Sequence, residues 1–505
     1  MRTKDKLKNP AIGETDVLLF IIFVFAVIYG LISLVNHYEF RTYALDLGMF
    51  NQALYSFAHL NLNYFTLATD GSHVNYFADH FSLITVAFAP FYYLLHSYTL
   101  LVIQIIAILA GGVGIYMFAK HETDTKYLPL FVIFQFFGIW GIYSALAFDF
   151  HDNVVAAMLV PWLAYSYVSG KKRLFILFFL LILIAKENMA LWLVFIILGL
   201  MLHRGLSHWR QFLRFEVPML ALAALYFIIV ISVIMPALAD ENGGASTLVA
   251  RYSEFGNSPA AIARNIVLNP QKTFSLLFQA TRPNKDHGDD KYGLHAAVLA
   301  SGGLALLAVP SCLVMLIPVY LQKFLTVDPS FWGITGQYSI EFVPIIGIAF
   351  TTLLAMLKRR RLGVRWQYLV AALFLVTTYG SLSYTIANRK LSDFSQEDNV
   401  NFLATDHYTP SVKVNEVNQF LDSIPAGVPL SASSSLAPHL GYRNQIYQYP
   451  IIRNSEYIVI MQDPRDNFID PALLPAARNF VMLLRTNVSN EPARRYLLMI
   501  YKRKS

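Results

Sequence analysis

Apolar runs recur along the chain at 17–36, 81–95, 98–119, 128–147, 154–169, 174–185, 188–202, 217–237, 296–325, 340–357 and 366–386, with polar linkers between them. Many approach the roughly 20 residues a helix needs to cross a bilayer, so the pattern predicts a polytopic α-helical membrane protein with roughly ten to eleven crossings. The first run follows Arg2, Lys4, Lys6 and Lys8. At about 19 residues it is long enough to span, and it reads as a retained first helix rather than a cleaved leader. Beyond residue 386 the pattern changes. Helical spacing over 412–421 and short apolar runs at 428–432, 457–461 and 480–484 predict a small α/β domain. The chain thus divides into a bundle, 1–386, and a polar domain, 387–505.

The linkers set the expected topology. Basic clusters lie before the first run, around Lys120 and Lys126, at Lys171-Lys172-Arg173, across Arg204, Arg210 and Arg214, and at Lys358 to Arg361 with Arg365. The positive-inside rule places all of them in the cytoplasm. Parity then requires 81–95, which is short and carries Pro90, to lie along the outer interface instead of crossing. The run 296–325 is long enough for two short crossings, broken by Pro310 and Pro318. The N-terminus is then cytoplasmic. The loops 37–97 and 238–295 and the C-terminal domain share the outer face of the cell membrane.

Composition agrees. Hydrophobic residues make up 56% and charged residues 14%, against about 25% charged in soluble domains. The 38 Phe and 29 Tyr suit side chains that meet lipid and headgroups. A net charge of +7 could suggest nucleic acid, but most basic residues occupy the linkers where membrane topology needs them, so that partner is set aside. The single cysteine, Cys312, allows no disulfide within the chain. No Walker loop, dinucleotide fingerprint, HExxH or Cys-His cluster is present. Nucleotide hydrolysis and Rossmann cofactor chemistry therefore have no visible seat.

Candidate chemistry gathers at the expected outer ends of the runs. Asp46 precedes an amphipathic helical pattern at Leu47, Phe50, Ala53, Leu54, Phe57 and Ala58. It fits either a helix N-cap or a general base held over a membrane-edge cavity. Asp79-His80 fits either an acid–histidine pair or simple capping by Asp79. His59 and His73 read as solvated loop residues. Asp149-Phe-His151-Asp152 places two carboxylates and a histidine in four residues. Such a group binds a divalent cation or positions a hydroxyl, or else it is a polar turn with Asp152 as N-cap. Lys186-Glu187 interrupts an apolar stretch and, as a tight turn, faces the same side as Asp46.

Asp46-Leu-Gly48-Met-Phe50-Asn-Gln52, His80-Phe81-Ser82, Phe150-His151, Lys186-Glu187 and Leu436-Ala-Pro438-His439-Leu-Gly-Tyr-Arg443 occur in this order. In that series the chain resembles an uncharacterised prokaryotic membrane family of unknown function, over roughly residues 15–450, a family grouped with the GT-C glycosyltransferases. Gln337, in Gly336-Gln337-Tyr338-Ser339, stands where the family pattern expects His. The resemblance implies transfer of a sugar from a polyprenyl-phosphate donor to an acceptor at the outer leaflet. Asp46 would take the acceptor proton, and Lys186 would face the donor phosphate, with Arg41, Arg251 and Lys323 as further cations. Asp149, His151, Asp152 and Glu187 would complete the catalytic group, with a divalent cation open at Asp149 and Asp152. His80, Gln52 and Tyr338 would line the substrate. A transporter or lipid flippase, or a non-enzymatic envelope protein, are the competing expectations.

Overall fold

The computed structural model describes residues 13–61, 64–68, 70–239, 250–280, 288–360, 363–387, 401–462, 469–490 and 495–504. The basic stretch before the first run, Arg361, part of the loop 238–295 and the start of the C-terminal domain lie outside the described residues.

The chain is mostly helical. Among the described residues eight helices are long and apolar enough to cross a membrane, including Glu14–Tyr38, Leu128–Ala147, Glu187–Arg204, Glu216–Leu238 and Val364–Ala387. Helices at Asp152–Val168, Lys172–Leu183 and Pro310–Phe324 are shorter, with 17, 12 and 15 residues. The run 81–95 forms a chain of short helical turns, from Ile84–Phe88 to His96–Tyr98, leading into the helix Thr99–Thr123. Small residues let that helix pack closely. A methyl added at Gly112 would fall 2.2 Å from the Phe137 ring, and one at Gly114 would fall 2.8 Å from Trp162.

The run 296–325 is divided, but differently from the expectation. The break falls at Val309, with Pro310 in the first turn of the next helix, where its missing N–H costs nothing. Pro318 stays inside that helix without breaking it. A second interruption comes earlier, at Ser301–Gly302, where Gly302 adopts φ +107°.

Helix ends group by charge. Lys120 pairs with Glu14, Arg359 with Glu122, Lys358 with Asp124, and Arg204 with Glu216, while Lys172 lies over Phe215. Four of the five basic linkers predicted to share a face therefore converge at one end of the bundle. The opposite end holds the turns around Asp46, His80, Asp149 and Lys186.

The C-terminal domain packs on that opposite end. A two-stranded hairpin in the first loop, β1 (Tyr64–Phe65) and β2 (Val74–Asn75), precedes a five-stranded sheet. The strands are β3 (Leu430–Ala432), β4 (Ile446–Gln448), β5 (Tyr457–Gln462), β6 (Phe480–Asn487) and β7 (Leu497–Arg503), in the order β4-β3-β5-β7-β6. The pairs β3–β4 and β3–β5 are parallel, and β7 joins β5 and β6 antiparallel. Strands β3, β5 and β6 and the helix Val414–Asp422 lie where the sequence pattern predicts them. Strands β4 and β7 were not anticipated. Phe40, Ala44 and Leu67 from the first loop share one core with Val417, Leu430, Val459 and Leu498. Thr66 Oγ1 donates to the Ile446 carbonyl at 2.6 Å, and the ring of His37 stacks on His439 at 4.1 Å. The first loop and the sheet thus bury apolar surface together.

Candidate functional site

The turn that carries Asp46 is built from both neighbours. Ala44 N–H donates to Ser434 Oγ at 3.2 Å, and Tyr43 N–H donates to Asp149 Oδ2 at 3.2 Å. Held this way, Asp46 adopts φ +71° and ψ −101°. Asp149 also has a positive φ, +75°. Left-handed backbone in a non-glycine residue costs about 1–3 kcal/mol, and such strain collects at ligand-binding and catalytic sites. Gln104, buried in the helix Thr99–Thr123, holds the second turn from both sides. Its Nε2 donates to the Asp149 carbonyl at 2.8 Å, and its Oε1 accepts from His151 N–H at 2.9 Å.

These turns bring distant residues into contact. His151 Nε2 lies 3.1 Å from Asp46 Oδ1, with Phe148 stacked on the imidazole. Lys186 Nζ reaches Asp152 Oδ1 at 2.9 Å. Glu187 Oε2 accepts from Phe81 N–H at 3.1 Å, and His80 pairs with Asp79 at 2.8 Å. Phe50 packs its edge against both His80 and His151. Buried Asn153 donates to Glu341 Oε1 at 2.9 Å. Seven of the candidate residues, Asp46, His80, Asp149, His151, Asp152, Lys186 and Glu187, thus lie in one connected region, drawn from four separate segments.

Capping, the plainer account of the acids, fails in its details. Gly48, not Asp46, is the N-cap of Met49–Ala58. His151, not Asp152, is the N-cap of Asp152–Val168. Asp79 pairs with its neighbouring histidine. Asp46 and Asp79 therefore turn to histidines, while Asp152 Oδ1 meets both Lys186 and the Asn153 N–H of its own helix start.

The electrostatics separate the carboxyls. Burial alone would raise Asp46, but the charges of His151, His80 and Lys186 outweigh it and hold it below the usual carboxylate range. Burial drives Asp149 well above that range despite the Tyr43 N–H, and the nearby Asp46 charge pushes the same way. The two carboxyls are thus pushed in opposite directions. Burial disfavours the charged form of Lys186, yet Asp152 and Glu187 raise its pKa and keep it charged.

Several other candidates have partners of their own. Arg41 pairs with Glu39 and donates to the His407 carbonyl at 2.9 Å, so it ties the first loop to the C-terminal domain. The Gln52 amide is taken by Thr66 and the Asn444 carbonyl, again a docking role. Lys323 donates to the Gly333 carbonyl and Ser339 Oγ in a buried position. Arg251 lies over Phe331, on which Tyr338 stacks. Tyr338 lines a small cleft of about 40 Å³, with Phe148, Ser330, Thr335 and Gly336. Asp149 and Asp152 are engaged by different partners, and among the described residues no three His, Cys, Asp or Glu side chains are grouped to hold a metal ion. Gln104, Asn153 and Glu341 were missed. Their signal was a polar residue inside or beside an apolar run.

The fold defines a polytopic membrane protein with a polar centre at one end of its helices. The chain belongs to the family described as predicted membrane protein (DUF2079), whose model matches residues 36–478. The match spans every site residue named above. No curated protein shows significant similarity to the chain.

Proposed function

We propose that this protein is a GT-C-type glycosyltransferase that moves a sugar from a polyprenyl-phosphate donor to an acceptor hydroxyl. The observation that carries this reading is the contact of Asp46 with His151 beside the Lys186–Asp152 pair. An ionised carboxylate and a charged ammonium, both largely buried, are what displacement at a sugar carbon with a phosphate leaving group requires. The acceptor oxygen bonds to the anomeric carbon as the bond from that carbon to the phosphate oxygen breaks. The hydroxyl proton passes to Asp46, and the electron pair leaves with the phosphate, whose charge Lys186 balances. Asp149, which burial pushes the other way and which accepts from Tyr43 N–H, is not the base in this reading.

In this reading the basic end of the bundle is cytoplasmic, in the plasma membrane. The site and the C-terminal domain are extracytoplasmic, near where a lipid-linked donor carries its headgroup. No observation favours the transporter, flippase or envelope-scaffold alternatives, since Lys186 and Glu187 end on Asp152 and the Phe81 N–H.

The test is transfer or hydrolysis of radiolabelled polyprenyl-phosphate sugars by the protein in lipid nanodiscs. Asp46→Asn, which tolerates the positive φ, is expected to slow turnover at least about 100-fold, the usual loss for a general base. Wild-type protein that neither binds nor turns over any such donor would overturn the proposal.

A further inference from the structure

On the Asp152 side of the site, three buried acceptor oxygens have no hydrogen-bond partner: Asp152 Oδ2, Asn153 Oδ1 and Gln337 Oε1. Their residues are 0%, 5% and 6% exposed. The local bonds explain which atoms are left over. Asp152 Oδ1 is occupied by Lys186 and by Asn153 N–H. Asn153 Nδ2 donates to Glu341 at 2.9 Å and to the Gln337 carbonyl at 3.5 Å, so Oδ1 is the free end of that amide. A buried acceptor without a donor costs about 1–3 kcal/mol. Three in linked residues mark a place where a ligand supplies the donors.

We propose that Asp152, Asn153 and Gln337 form the subsite that reads the hydroxyl groups of the transferred sugar and sets which sugar is accepted. The inference rests on the donor reading above. A polyol carries several O–H donors at short spacing, which matches three unpaired acceptors on residues linked by hydrogen bonds. A metal cation fits less well, because the Lys186 ammonium already lies 2.9 Å from Asp152. Gln337 also stands between Gly336 and Tyr338, which line the cleft beside Phe148. Phe148 stacks on His151, so that cleft adjoins the Asp46–His151 contact, with Asp152 and Asn153 next in the chain. Discrimination by hydrogen bonding is steep here, because a sugar with a hydroxyl misplaced leaves a buried acceptor unpaired.

The test compares lipids by native mass spectrometry on the full-length protein. The probes are bare polyprenyl phosphate and the same lipid bearing glucose, mannose or galactose. Wild-type protein is expected to prefer one sugar-bearing lipid over the bare lipid by at least about tenfold. Asn153→Leu and Gln337→Leu should each shrink that ratio about five- to tenfold, while Gln337→Glu, which keeps an acceptor, retains most of it. A ratio is insensitive to the fraction of misfolded protein. Equal binding of bare and sugar-bearing lipids, or Leu variants that keep the preference, overturns the subsite and leaves the phosphate-donor reading standing. Thermal stabilisation by Mg²⁺ or Ca²⁺ alone that is lost in Asn153→Leu overturns it in favour of a cation. Failure to bind any of the four lipids removes the donor reading itself.

Discussion

The two ends of the helical bundle handle charge in opposite ways. At one end Lys120, Arg204, Lys358 and Arg359 lie in the last turns of their helices, where the helix dipole favours cations, and pair with acids close by. Lys120 and Arg359 remain 51% and 70% exposed. Buried Glu216 is an exception there: its Oε1 meets the Tyr167 hydroxyl at 3.0 Å, but its Oε2 has no partner. At the other end Asp149, Asp152 and Glu187 are buried and Asp46 and Lys186 partly so, Asp46 and Asp149 stand on left-handed backbone, and acceptor oxygens are left unpaired. The first arrangement follows from local rules and costs little. The second costs stability.

That contrast is open to test. The largest stability effect is expected from Lys186→Met, which strands the buried Asp152 carboxylate and should cost about 3–5 kcal/mol in reversible unfolding in detergent. A loss under about 1 kcal/mol would mean that the pair is solvated, and that the two ends do not differ in kind. Gln104→Leu comes next. It removes both bonds that pin the Asp149–His151 turn and should cost about 1–3 kcal/mol, with turnover falling in parallel as His151 loses its position. Unchanged turnover would assign Gln104 to packing alone.

A pH comparison probes His80. Burial lowers its pKa, but Asp79 at 2.8 Å and the other nearby acids more than reverse this, so the folded value is raised. The folded state therefore holds the proton more tightly. Its stabilisation is complete below the unfolded value of about 6.5 and is lost as pH rises through the raised folded value. Wild-type Tm should fall more between about pH 6 and about pH 8 than that of His80→Gln. Parallel curves would show that the pair contributes nothing. The smallest effect is expected from Lys120→Met at the basic end, about 0–1 kcal/mol and weaker still in high salt.

Much of this protein was legible in its sequence because a bilayer imposes simple demands. Backbone groups must be satisfied within each segment, so apolar runs announce helices, and basic linkers announce which ends lie together. Charged residues at the other ends of those runs stood out as costly, and Asp46, His80, His151, Asp152, Lys186 and Glu187 were found that way. Tertiary structure decided what they do. Whether an acid caps its own helix or reaches across to a histidine depends on φ and ψ at single residues such as Asp46, and periodicity does not encode these. Arg41 and Gln52 looked like site residues until docking of the C-terminal sheet on the first loop claimed them. Gln104, Asn153 and Glu341 acquired roles only when packing placed each beside one particular turn or neighbour. Helix formation is a local balance of burial and backbone hydrogen bonding, so the sequence determines it. A site is a set of contacts between segments far apart in the chain, and only packing brings those together.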